Sequence, residues 1–94
     1  MGMFTILSLL VHVMFHSSAS LSFVCTTFVS RATLSPYTSV AISEMLPSGD
    51  RLDCTRLYSK VTLVVSEVDF LVNLVEIDLW DIDIILGIDM LERF

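Results

Sequence analysis

The chain has 94 residues, of which 54% are hydrophobic and 17% are charged, and it carries a net charge of −6. This length allows one small domain over residues 1–94, and a domain of this size often needs a partner chain for stability, so a homodimer is expected. The hydrophobic share excludes a disordered chain, and the acidic balance argues against nucleic-acid binding, which needs a basic surface.

Residues 3–15 are mostly apolar and allow two interpretations. β-branched and aromatic residues favour two strands, over residues 3–10 and 11–15, with residues 1–10 as the N-terminal strand. The alternative is the hydrophobic region of a secretory signal peptide, with residues 17–20 as a small-residue cleavage zone, although the preceding basic residues are missing. The segment is too short to span a bilayer as a helix, so no membrane association is expected.

A turn and two strands are predicted in the middle of the chain. Residues 37–43 favour a short strand, and Pro47, Ser48 and Gly49 form a turn signal that predicts a hairpin. Residues 60–66 and 68–79 are the strongest strand patterns, joined by a turn at Ser66 and Glu67. Apolar residues on both faces of the second strand indicate that both faces are mostly covered.

The C-terminal stretch predicts a buried strand, a glycine and a short helix. Ile84, Ile85 and Leu86 have no polar alternation, which is typical of a strand covered on both faces. A glycine at the end of such a strand, here Gly87, indicates that another backbone passes too close for a Cβ. Asp89 is expected to cap the helix over residues 88–94.

Metal and cofactor sites are not predicted. Cys25 and Cys54 stand at no zinc-ligand spacing. His12 and His16 are four apart, but no carboxylate or thiol accompanies them and the segment looks extended. The acidic residues between positions 76 and 83 lack the further alternate ligands and the glycine of a calcium loop, so they are expected to be solvated or capping residues.

Two stretches resemble the retropepsin-like aspartic proteases of long-terminal-repeat retrotransposons. Residues 81–91, Asp-Ile-Asp-Ile-Ile-Leu-Gly-Ile-Asp-Met-Leu, are similar to the C-terminal signature of that family. Residues 13–24, Val-Met-Phe-His-Ser-Ser-Ala-Ser-Leu-Ser-Phe-Val, are similar to its active-site motif, in which an aliphatic strand precedes Asp-Ser/Thr-Gly-Ala. In this comparison His16 occupies the catalytic aspartate position, Ser17 matches the hydroxyl residue, and Ser18 replaces the glycine.

The resemblance implies an all-β fold, a small closed barrel with one short C-terminal helix. It implies a short helical or irregular segment over residues 27–34, a substrate flap at Pro47, Ser48 and Gly49, and a core motif at Ile85, Leu86 and Gly87. It also implies a homodimer that cleaves a peptide or polyprotein substrate in the cytoplasm.

The same resemblance predicts that this copy is catalytically impaired. The family reaction uses two aspartates, one from each subunit, that share a proton: one activates water and the other polarises the scissile carbonyl. An imidazole at position 16 is either neutral or positively charged and cannot form that acid pair. Ser18 would crowd the space that glycine leaves open, while Ser17 keeps the hydroxyl that braces the two loops.

Two other functions stay open from the sequence. One is a non-catalytic dimerisation or interaction domain that keeps the fold. The other is a small secreted protein whose first twenty residues are removed.

Overall fold

The computed structural model describes residues 4–45, 49–78 and 82–92. Strands predominate in these ranges, and two short helices accompany them. The elements in chain order are β1 (Phe4–Ile6), β2 (Leu9–Leu10), β3 (Val13–Phe15), β4 (Ser22–Cys25), α1 (Thr26–Ala32), β5 (Thr38–Met45), β6 (Arg51–Val65), β7 (Val68–Ile77), β8 (Ile84–Leu86) and α2 (Ile88–Leu91).

The eight strands of the described chain form one sheet. Hydrogen-bonded neighbours follow the order β2-β1-β6-β7-β4-β8-β3, and β5 pairs with β6 beside this path. The pairs β3–β8 and β4–β7 are parallel, and the others are antiparallel. β6 and β7 are joined at Ser66 and Glu67, as predicted, and both residues have positive φ, 50° and 71°. Two such residues match the twist of the strands in a two-residue hairpin.

One extended segment, residues 9–15, joins the two ends of this path. Its first part, β2, pairs with β1, and its second part, β3, pairs with β8. The switch occurs at two residues: the Val11 amide donates to the Phe4 carbonyl (3.1 Å), and the His12 carbonyl accepts from the amides of Asp83 and Ile84 (both 3.1 Å). The sheet therefore curls into a half-barrel, and the predicted all-β fold of this type with a short C-terminal helix is confirmed.

The predicted strand over residues 3–10 is wrong in detail, because the chain reverses within it. Leu7 and Ser8 both have positive φ, 51° and 66°, and form a tight turn between β1 and β2. Neither is a glycine, asparagine or aspartate, the residue types that favour turns with two positive φ angles, so the pattern did not predict this turn. Residues 4–15 nevertheless form strands, as the first interpretation proposed, and among the described residues no helix is long and apolar enough to span a bilayer.

The core consists of two clusters, one on each side of the sheet. The larger contains Phe28 of α1, with Leu63, Leu74 and Leu86 from three strands, all completely buried. Burial of each such side chain contributes about 1.5–3 kcal/mol. The smaller cluster, here called the cleft cluster, contains Ala19, Phe23, Cys54, Val75, Ile77 and Ile85.

Asp83 fastens the point at which residues 9–15 switch partners. Its Oδ2 accepts from the His12 backbone amide at 2.9 Å and lies 3.5 Å from Nη2 of Arg31. The same Arg31 nitrogen donates to the Leu10 carbonyl at 3.4 Å. Asp83 was expected to be a solvated residue, and this was wrong: its partners lie far away in the sequence, where no local pattern reveals them.

We expect Asp83→Ala to lower the free energy of unfolding by about 0.5–1.5 kcal/mol, because the His12 amide loses its acceptor and Arg31 loses its ion pair. Asp83→Asn keeps an acceptor oxygen and should lose less than half as much. Arg31→Gln removes an exposed ion pair, the hydrogen bond to the Leu10 carbonyl and the contact of the guanidinium with the Phe28 ring (5.0 Å), and should cost at most about 1 kcal/mol. Urea denaturation of the three variants checks this, and equal losses in Asp83→Ala and Asp83→Asn would contradict it.

Candidate functional site

The turn that follows β3 is held against the C-terminal strand and helix by backbone hydrogen bonds. The His16 amide donates to the Leu86 carbonyl at 3.0 Å, and the His16 carbonyl accepts from the Ala19 amide at 3.0 Å. The Ala19 carbonyl in turn accepts from the Ile88 amide at 2.8 Å. The two stretches that carry the family resemblance are therefore parts of one hydrogen-bonded unit.

Gly87 lies where this unit is most tightly packed. A Cβ built on Gly87 would collide with the Leu21 carbonyl oxygen and lie 2.7 Å from that of Ala19. The φ angle of Gly87 is −91°, which any residue adopts, so close approach of backbone is what requires glycine here. The predicted reason for this glycine is confirmed.

Ser22 supplies the side chain that connects β4 with β8 and α2. It is completely buried. Its Oγ accepts from the Gly87 amide at 3.0 Å and donates to Oδ1 of Asp89 at 2.7 Å. Ser22 lies within the stretch 13–24 that carries the resemblance, but its local pattern predicted no role for it.

The predicted helix cap at Asp89 is wrong. The residue at the N-cap of α2 is Gly87, and no side chain caps it. Asp89 stands one residue inside the helix, and its carboxylate reaches across to the hydroxyl of Ser22 instead.

The three predicted catalytic positions lie together in the turn after β3. His16 is half-buried, whereas Ser17 and Ser18 are exposed. No group of three or more His, Cys, Asp or Glu side chains among the described residues is arranged to hold a metal ion. The turn therefore presents one imidazole and two hydroxyls, and Ser18 is the residue for which the resemblance predicts a glycine.

The predicted flap corresponds to the hairpin of β5 and β6. Pro47 and Ser48 lie outside the described residues. Gly49 is exposed, its φ is +94°, and a Cβ there would meet nothing within 4 Å, which suits a turn. The hairpin contributes Ile42, Leu52 and Cys54 to the cleft cluster, so it packs on the same apolar surface as Ala19 of the turn.

The core motif places its side chains on opposite sides of the sheet. Ile85 belongs to the cleft cluster, while Leu86 belongs to the larger core, because successive residues of a strand alternate.

Cys54 in the cleft cluster is a weak nucleophile: burial, then the carboxylates of Glu44 and Asp53, raise the pKa of its thiol.

A second polar network surrounds Glu76 on β7. Its carboxylate accepts from the Tyr58 hydroxyl at 2.9 Å and from the Thr26 hydroxyl at 3.0 Å, with Nη1 of Arg56 at 3.9 Å. Burial and the Glu76 carboxylate raise the pKa of Tyr58, which therefore stays protonated as a donor. The expectation that Glu76 is a solvated residue was wrong, since it joins α1 and β6 to β7.

The model of the retroviral aspartyl protease family matches residues 1–94. The chain belongs to this family. Among solved structures, it is similar to the retroviral protease-like domain of Ddi1 from Leishmania major, with a TM-score of 0.73 and 19% sequence identity over 98% of this chain and 74% of that one. This likeness shows a shared fold. No curated protein sequence matches the chain.

In this retroviral protease-type domain we expect Gly87→Ala to lower the free energy of unfolding by about 2–4 kcal/mol, because the new methyl group displaces the backbone of Ala19 and Leu21. Gly49→Ala is the matched control: its methyl group meets open space, and only the strain of a positive φ, about 1 kcal/mol, is expected. Thermal and urea denaturation provide the measurement. A loss in Gly87→Ala no larger than that in Gly49→Ala would contradict the packing argument.

Proposed function

We propose that this chain is a retrotransposon-type aspartic endopeptidase domain with impaired catalysis. The observation that carries the proposal is the position of His16, which follows β3 at the start of the turn, its backbone fixed by Leu86 and Ala19. The turn is held in place as a catalytic loop would need to be. The side chain at the decisive position is the wrong kind of acid–base group.

The missing group is a carboxylate that can share a proton with its twin. An imidazole has no negatively charged form at working pH, so two of them form a neutral or positively charged pair and cannot replace the negatively charged, singly protonated carboxylate pair. Asp89 does not replace it, because its carboxylate is engaged by the buried hydroxyl of Ser22. The site therefore lacks the carboxylate that activates water in the family reaction, and Ser18 restricts the space in which that water would lie.

A symmetric dimer is supported by apolar side chains exposed beside this turn. Met14 and Phe15 end β3, and Ile88 begins α2; they are 37%, 42% and 47% exposed. Such a patch next to a functional loop favours burial against another protein surface. In a twofold arrangement the two copies of Ser17 would approach each other and brace the paired turns.

The substrate proposed for an active form is a peptide segment of a polyprotein. The buried cleft cluster is shared by the hairpin, the turn and β8, so it fixes the positions of these three elements, between which such a peptide would lie. We place the domain inside the cell, since Cys25 and Cys54 are buried and are not joined in a disulfide, and reduced cysteines are typical of a reducing compartment.

The test is restoration of the acid. The wild-type protein should not cleave a mixed peptide library, whereas His16→Asp combined with Ser18→Gly should cleave it with an acidic pH optimum and full sensitivity to a transition-state aspartic protease inhibitor. The matched control, His16→Asn with Ser18→Gly, should be inactive, because its amide has the shape of the acid but cannot exchange a proton.

Inhibitor-sensitive cleavage by the purified wild-type protein would overturn the proposed impairment. If the doubly substituted protein folds and dimerises but stays inactive, the proposal of a recoverable active site fails.

A non-catalytic dimerisation domain is the second candidate. It is favoured by the hydrogen bonds among Ser22, Gly87 and Asp89, none of which uses the side chain at position 16. Sedimentation should detect a dimer in the wild type and a monomer in Ile88→Glu, which buries a charge in the proposed interface. A wild type that sediments as a monomer at every concentration contradicts this candidate.

A further inference from the structure

β6 is incompletely paired on the side opposite β7. On that side β5 pairs with β6 from Arg51 to Leu57, and β1 pairs with it at Val64 and Val65. Among the described residues no strand pairs with this side of β6 between positions 58 and 63, a gap that we call the notch. At about 3.3 Å per residue, the notch spans roughly 20 Å of strand before any bending.

The other side of β6 is occupied along this stretch, even where the strand is irregular. The β6–β7 register shifts between Tyr58 and Val61, and Lys60 has a positive φ of 56°. The Lys60 amide is satisfied by Oδ1 of Asn73 at 3.0 Å. The bulge thus uses the β7 side, whereas the notch side presents strand backbone, whose N–H and C=O groups need water or another chain.

A cavity of about 560 Å³ lies over the notch. The β1–β2 turn, residues 33–38 and β6 line it. Leu7 and Tyr37 at its margin are large side chains left 66% and 50% exposed. This volume is within the range of sites that bind ligands, and the walls are more apolar than polar. The described residues that line it do not include His16, Ser17, Ser18 or Gly49.

The charge at the notch is opposite to that of the rest of the chain. Among the described residues that line the cavity, Lys60 is the one that carries a charge, in a chain with a net charge of −6. Arg31 and Arg56 lie beside the carboxylates of Asp83 and Glu76, but in the part of the chain that the structure describes Lys60 has no ion pair. A ligand with an acidic group would therefore complement the charge of Lys60.

We propose that the notch binds an extended peptide segment of a partner protein, with apolar side chains and at least one carboxylate, as a short added strand between β5 and β1. Hydrogen bonds to β6 supply main-chain affinity, as in other cases of strand addition. Leu7 and Tyr37 cover the apolar side chains, and Lys60 binds the carboxylate. The site is independent of residue 16 and of the proposed function.

The test uses capped pentapeptides that alternate valine and glutamate, titrated into ¹⁵N-labelled protein. Saturable amide shifts are expected at Thr38, Ser59, Val61 and Thr62. Two peptides methylated on alternate amides separate strand addition from simple apolar contact, because an added strand directs every second amide inward. One of them should bind at least about tenfold more weakly, through loss of about two hydrogen bonds, and the other should bind like the parent.

The charge is tested by a valine–lysine peptide and by Lys60→Asn, an exchange chosen because asparagine tolerates a positive φ. Each should weaken binding about two- to fivefold, as expected for an exposed ion pair. Arg51→Gln is the matched control, since it removes a cation from the far end of β6 and should leave binding unchanged.

Equal binding of both methylated peptides, or shifts confined to His16 and the cleft cluster, would overturn the proposal. So would the same notch shifts appearing with rising protein concentration alone, because a second copy of the chain would then be the occupant.

Discussion

The buried hydroxyl of Ser22 connects β4 with the C-terminal strand β8 and helix α2. Ser22 Oγ accepts a hydrogen bond from the Gly87 amide and donates one to the Asp89 carboxylate, so it links β4 to the end of β8 and the start of α2. Loss of either hydrogen bond would leave a buried polar group unsatisfied and lower the free energy of unfolding by about 1–3 kcal/mol. Ser22, Gly87 and Asp89 therefore depend on one another. The turn between β3 and β4 is placed by this arrangement, because its two ends are the strands that β8 lies between.

The scaffold and the chemistry are consequently separable. The bonds that fix the turn use the backbone of His16, Ala19 and Ile88, and the side chain at position 16 contributes none of those described. In the proposed function, a change from acid to imidazole at position 16 removes the reactive group without removing a support. The family fold would then persist although this residue does not suit the family reaction.

The features that could be predicted from the sequence are those with local causes. The run from Ile84 to Gly87 combines continuous apolar character with a glycine, and it predicted both a doubly covered strand and a close backbone contact. The turn at Ser66 and Glu67 lies between two strong strand patterns and was equally visible.

The features that escaped prediction are long-range or lack a marker residue. Asp83, Glu76 and Asp89 were expected to be solvated or capping, yet their carboxylates bind partners 18 to 71 positions away. The reversal at Leu7 and Ser8 has no glycine or asparagine to announce it. The first half of β6 alternates polar and apolar residues because one face is exposed, and it therefore looked weaker than the strand that follows.

The course of residues 9–15 has a consequence for how the domain opens. In a flat sheet the two outermost strands can fray separately, but here a single stretch of chain serves as the border at both ends. Release of residues 9–15 would break the pairing at both ends of the sheet together, so opening at one end alone gains little conformational entropy. Completing the sheet requires His12 to meet Asp83, 71 positions later. The loss of chain entropy in closing this loop comes before the contacts that compensate for it. Folding is therefore expected to be slow and cooperative.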